Sequence, residues 1–263
     1  MQRVTYLGDK EDILTRVTSA DIMVSDFDGT DVRTPLKRAV MGYLSSPHNI
    51  LRHPGLVSWG FKALVKKAMD GKDAESFLWQ DLTEILGEDT EDMIEKLYES
   101  EKDKSECKLG RCLLPGVRDL YEQLSDANKF YISRNSHDII SLYAPLTGVT
   151  PENIHTGARK EILLEDIIAN NPGKRYLIRG DSRSDSEVAD VADFYKRKGQ
   201  IDDYVAIAIG DSSHSSNENV DVVVSDDQRG LVEDLREHKR RPYKMSSTEL
   251  SSLEARYGHP GSG

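Results

Sequence analysis

The apolar run Ile22-Met23-Val24 breaks off directly into Ser25-Asp26-Phe27-Asp28-Gly29-Thr30, and this junction constrains the chain more than any other feature. A compact apolar run followed by a polar, glycine-containing turn reads as a buried strand that feeds a loop. Two carboxylates one residue apart then stand together at the carboxyl end of that strand. In open α/β sheets this edge is where ligands bind. Taken alone, the string also fits a solvated acidic turn.

The surrounding pattern sets the architecture. Ile13, Leu14 and Val17 recur at helical spacing within Asp9 to Thr18, so a helix leads into the first strand. From Asp31 to Leu114 strand-like runs vanish, and helical patterns are expected at Leu36 to Leu44, Leu56 to Met69, Ala74 to Leu86 and Thr90 to Lys102. Pro47, Pro54, Gly71 and Gly87 punctuate them. Trp59, Phe61, Phe77 and Trp79 in this stretch read as helix packing before they read as a substrate slot. After Pro115-Gly116, strands at Phe130 to Ser133, Arg175 to Ile178, Tyr204 to Ile209 and Val220 to Val224 alternate with helices. That alternation predicts a doubly wound parallel α/β core. The expected division is a core of residues 1–30 and 115–245, an all-helical insertion at 31–114, and a tail at 246–263.

Three further polar endings follow in order. Ser133 closes the run Phe130-Tyr131-Ile132, Lys160 opens a helix, and Gly180-Asp181-Ser182-Arg183-Ser184-Asp185 follows Tyr176-Leu177-Ile178. Through these residues and the Asp26 loop, the chain resembles the haloacid dehalogenase superfamily, whose ordered motifs are an Asp-x-Asp loop, a Ser or Thr, a Lys, and a Gly-Asp-x-x-x-Asp loop. The resemblance spans Ile22 to Val224 and implies a Rossmann-like core, with residues 31–114 as a helical C1-type cap.

The resemblance also implies roles. Asp26 is the nucleophile that takes the phosphoryl group, and Asp28 is the acid and base. Asp26, the Asp28 carbonyl and Asp181 hold Mg2+, with Asp185 supporting them. Gly29, Thr30, Ser133, Arg134, Asn135 and Lys160 face the substrate phosphate. These assignments suit the chemistry. A carboxylate attacks phosphorus only where the gathered negative charge is neutralised, and Mg2+ prefers oxygen ligands. A hydroxyl and an ammonium suit the remaining phosphoryl oxygens. An acid at Asp28 favours phosphate esters over organic halides, because an alkoxide leaving group needs a proton. Arg159 competes with Lys160 for the cationic role. Gly210-Asp211-Ser212 imitates the acidic motif one strand late and has Ser215 in place of the second acid. Asp31 departs from the family pattern, which often carries an apolar residue there.

Composition trims the alternatives. A net charge of −11 over 263 residues disfavours a nucleic-acid partner. The basic run His238 to Lys244 reads as a solvated helix end. Cys107 and Cys112 are too few for a disulfide framework or a zinc site, which points to a reducing, cytoplasmic setting. No apolar run is long enough for a membrane span. The expected activity is hydrolysis of a small phosphorylated metabolite. A phosphomutase using the same aspartyl-phosphate and a non-catalytic binding protein on the same fold are the alternatives.

Overall fold

The computed structural model describes residues 3–32, 47–56, 58–59, 85, 113–135, 137–157, 159–210 and 217–240. Among them, seven strands form one sheet: β1 (Val4–Tyr6), β2 (Ile22–Ser25), β3 (Asn128–Ser133), β4 (Ile154–Thr156), β5 (Arg175–Gly180), β6 (Asp203–Ile209) and β7 (Val222–Val224). Their order is β1-β7-β6-β5-β2-β3-β4, and only the β1–β7 pairing is antiparallel. From β2 the chain steps outward through β3 to β4, then returns to the other side of β2 to build β5, β6 and β7. The direction of winding therefore reverses between β2 and β5. A crevice opens at such a switch point, beyond the carboxyl ends of the two strands.

The strands are near-continuous apolar runs because both faces of the sheet are covered. Side chains alternate between the two faces, as the strand period of two requires. Met23, Tyr131, Leu177, Val205, Ile207 and Val222 join one buried cluster with α1 (Lys10–Thr18), the helix Val117–Gln123 and the helix Arg229–Arg240. Ile22, Val24, Phe130, Ile132, Tyr176, Ile178 and Ala206 join the other, with the helices Lys160–Asn170 and Arg183–Arg197. In chain order the helices are α1, α2 (Pro47–Arg52), α3 (Val117–Gln123), α4 (His137–Tyr143), α5 (Lys160–Asn170), α6 (Arg183–Arg197) and α7 (Arg229–Arg240). The Asp9 side chain caps α1 at the Asp12 amide, and Ile13, Leu14 and Val17 are buried beneath it.

The doubly wound core matches the expectation, with local differences. β1 was not expected: three residues, two half-buried and one exposed, carry little pattern, and their partner β7 lies far along the chain. α2 begins at Pro47, where a turn was expected. Proline fits a first helical turn because the amide it lacks would have no helical acceptor. α6 begins at Arg183, so Asp185 belongs to a helix rather than to a loop. The cause is a capping arrangement in which the Asp185 carboxylate accepts from the Ser182 amide at 2.9 Å. The core also extends past residue 30, since Asp31 and Val32 are fully buried and Val32 bridges Leu113. Leu56 and Trp59 pack in the first cluster. The helices expected at Leu36 to Leu44 and Thr90 to Lys102, most of Leu56 to Met69 and Ala74 to Leu86, the Asp211 loop and the tail lie outside the described residues.

Candidate active site

β2 and β5 deliver the acidic groups. The register pairs Ser25 with Arg179, and the Asp26 amide donates to the Arg179 carbonyl at 2.9 Å. Asp26 and Asp181 thus emerge from neighbouring strands at the switch point. One carboxylate oxygen from each of Asp26, Asp181 and Asp185 lies within 4.8 Å of the others, and all three residues are buried. Lys160, at the first position of α5, reaches in from the second face of the sheet. Its Nζ stands 2.8 Å from Asp26 Oδ1 and 2.7 Å from Asp185 Oδ1.

The carboxylates do not share equivalent positions. Asp185 Oδ2 accepts from the Asp181 amide at 3.1 Å, the Ser182 amide at 2.9 Å and the Ser182 hydroxyl at 2.6 Å. Lys160 takes its other oxygen. Asp185 therefore organises the turn and the lysine. Two glycines let the loops close around it. A side chain on Gly180 would fall 2.0 Å from Asp185 Cβ, and one on Gly29 would fall 2.1 Å from Asp181 Oδ2. Gly29 also has φ +79°, a conformation that L side chains rarely adopt.

Burial pushes the Asp26 carboxyl well up from its ordinary range. Lys160 opposes that rise, while Asp185, Asp181 and Asp28 add to it. Lys160 is itself disfavoured by burial, yet Asp185 and Asp26 hold its ammonium above the usual lysine range. Three carboxylates around one ammonium leave the cluster two negative charges in excess when ionised. An all-oxygen donor set with that excess fits a hard divalent cation.

Of the residues expected to face a phosphate, Ser133 is buried at the end of β3, and its Oγ accepts from the Asn135 amide at 3.1 Å. The Asn135 side chain donates to Asp28 Oδ2 at 2.9 Å, so it holds the Asp28 carboxylate. Thr30 is buried, and Arg134 is half-buried near enough to Glu161 to help lower its carboxyl. Arg159 pairs with Glu161 at 2.6 Å and is two-thirds exposed, whereas Lys160 is the cation among the carboxylates.

No family model matches the sequence, and no curated protein matches it. Among solved structures, cytosolic 5'-nucleotidase IIIB bound to cytidine aligns with 90% of this chain and 94% of its own, at 13% identity and a TM-score of 0.54. The chain shares the doubly wound α/β fold of that structure. Two other structures align at TM-scores below one half. A putative haloacid dehalogenase-like hydrolase from Burkholderia xenovorans shares 15% identity over 81% of this chain and 98% of its own, at 0.47. A phosphoserine phosphohydrolase-like protein from Francisella tularensis shares 15% over 89% and 99%, at 0.46.

The structure adds residues that the motifs did not single out. Arg179 ends the apolar run of β5 with its side chain wholly buried, and Asp31 lies 2.9 Å from it. Gln228, fully buried, accepts from Arg179 at 2.6 Å. A lone arginine closing a buried run was the available signal, since a buried charge requires a partner.

Proposed function

We propose that this protein is a magnesium-dependent phosphatase that hydrolyses a small phosphorylated metabolite through an aspartyl-phosphate on Asp26. The observation that carries this reading is the meeting of Asp26, Asp181 and Asp185 at the switch point of the sheet, with Lys160 paired to Asp26 and Asp185. The haloacid dehalogenase-like fold, shared with a nucleotidase structure, supports it.

Mg2+, held by Asp26, Asp181 and the Asp28 carbonyl, would neutralise the negative charge that gathers as a phosphate monoester approaches. Asp26 attacks phosphorus and forms a phosphorus–oxygen bond as the ester bond breaks. Asp28 gives its proton to the departing oxygen. Asp28 then takes a proton from water, which attacks the phosphoryl group and frees Asp26. Asn135, bonded to Asp28 Oδ2, fixes the direction in which that proton moves. Lys160 restrains Asp26 and carries part of the charge. Ser133 offers a buried hydroxyl to a phosphoryl oxygen, and Thr30 and Arg134 flank the same loops.

The test is release of phosphate or phenol from a generic aryl phosphate by purified protein, with Mg2+ and with a chelator. Turnover is expected only with the metal, and Asp26→Asn is expected to remove it while the circular dichroism spectrum stays that of the parent. Undiminished turnover by that variant refutes the assignment. A panel of phosphorylated metabolites then identifies the organic group.

A further inference from the structure

Below the loop that carries Asp26 lies a buried polar assembly that the proposed chemistry does not use. Asp31 and Arg179 form an ion pair at 2.9 Å with both side chains wholly buried. Tyr121 donates to Asp31 Oδ2, and the Tyr131 hydroxyl stands 3.0 Å from the same oxygen. Arg179 spreads its guanidinium between Ser25 Oγ at 3.2 Å and Gln228 Oε1 at 2.6 Å. Its guanidinium carbon lies over the Tyr121 ring, 5.6 Å from the ring centre.

The outer contacts of this assembly are backbone atoms of the loop itself. Ser25 Oγ lies 2.9 Å from the Asp26 carbonyl and can donate to it. Gln228 Nε2 donates to the Thr30 carbonyl at 2.7 Å. The Leu114 amide donates to the Asp31 carbonyl at 2.8 Å, and the Gln228 amide donates to the Pro115 carbonyl at 2.8 Å. Gly116 allows this closeness, since a side chain there would fall 2.6 Å from the Arg229 nitrogen. One ion pair thus ties the nucleophile loop to the backbone at Leu114 and Pro115.

Stability alone does not account for such a pair. Two charges taken out of water recover little net free energy, and apolar residues of similar volume often serve as well or better. An apolar pair, however, has no directional grip on Ser25 or Gln228. We infer that Asp31 and Arg179 are positioning residues that, through Ser25 and Gln228, fix the backbone of Asp26 to Val32. For its kinetic consequence the inference rests on the function proposed above; its structural content does not.

The experiment compares the full chain with the double variant Asp31→Leu, Arg179→Met, which removes both charges and leaves neither unpaired. Amide hydrogen exchange is followed in peptides covering 26–32 and 113–116, with 203–209 as the internal reference. Exchange in the first two is expected to rise about tenfold or more while the reference holds. With aryl phosphate and Mg2+, kcat is expected to fall about tenfold or more with KM nearly unchanged, because a displaced nucleophile loses reactivity before it loses substrate binding. Should the double variant fail to fold, Gln228→Met carries the same test with the ion pair left intact. A folded variant with parental exchange in 26–32 overturns the inference. Absence of phosphatase activity in the parent overturns the proposed function instead, and the exchange result still decides this one.

Discussion

Gly29→Ala isolates the closeness of the two acidic loops. The new Cβ would lie 2.1 Å from Asp181 Oδ2, 2.6 Å from Cγ and 2.9 Å from Oδ1. Carbon and oxygen in ordinary contact sit about 3.3 Å apart or more, so the carboxylate must withdraw by roughly 1 Å. A misplacement of about 1 Å costs on the order of 100-fold in rate, or about 2.7 kcal/mol of transition-state stabilisation. The φ of +79° adds a backbone cost of about 1–2 kcal/mol to folding. Gly148→Ala supplies the control, because Gly148 has φ +71° but nothing within 4 Å of the built Cβ. Both variants are expected to lose about 1–2 kcal/mol in urea unfolding through the backbone, and Gly29→Ala somewhat more. Only Gly29→Ala is expected to lose turnover about 100-fold and to need more Mg2+ for half-maximal rate. If folded Gly29→Ala turns over aryl phosphate within about threefold of the parent at the same Mg2+ requirement, the claim that Asp181 must sit in this position is wrong.

Two further perturbations separate charge effects from shape. Lys160→Met removes the cation that stands against both Asp26 and Asp185, and stability in the presence of chelator is expected to fall by about 3–5 kcal/mol; a loss below about 1 kcal/mol in urea unfolding would show that the lysine pairs more weakly than its geometry states. Asp21 is a contrasting, exposed case. The Arg175 side chain and amide hold its carboxyl down at about 2, below its ordinary 3.8. A lowered carboxylate stabilises the fold above its unfolded pKa and loses that contribution as pH falls through the folded value. Asp21→Asn is therefore expected to cost less than about 1 kcal/mol near neutrality, because the pair is well exposed to solvent. The difference from the parent should close as pH falls from about 4 towards 2, and a gap in melting temperature constant across that window contradicts the reasoning.

What could be read from the letters follows from how burial writes itself into sequence. β2, β5 and β6 are covered on both faces, so Ile22-Met23-Val24, Tyr176-Leu177-Ile178 and Val205 to Ile209 stand out as apolar blocks. The polar successors of such blocks mark the sheet edge, which is why Asp26 after β2, Asp181 after β5 and Ser133 at the end of β3 were legible as edge residues. β1 was illegible for the opposite reason. Its half-buried Val4 and Tyr6 and exposed Thr5 gain their meaning only from Val222 to Val224, more than 200 positions away. The start of α6 was legible in principle, since Ser182 followed three residues later by Asp185 is a capping signature. The same acidic, glycine-led string also reads as a metal-binding loop.

Asp31 shows where an edge-based reading stops. Its place after Thr30 made it look like the first residue of the inserted segment, and a charged residue on a boundary is ordinarily solvated. Here it is wholly buried, because its partner arrives from β5, 148 positions later, together with Gln228 from the turn before α7. A charge with so distant a partner carries no local pattern. The sequence did contain the complementary irregularity, an arginine interrupting the apolar end of β5. Buried strands leave an unpaired guanidinium nowhere to go, so Arg179 required an acid on the same face of the sheet. The parallel register sets Ser25 beside Arg179, and the acids that can reach it are those of the loop that Ser25 opens. Asp26 and Asp28 are engaged with Lys160 and Asn135, which leaves Asp31 as the one that turns under the loop. The departure from the family pattern at residue 31 and the arginine of β5 are thus two halves of one feature, and exchange of either charge alone should cost more than exchange of both.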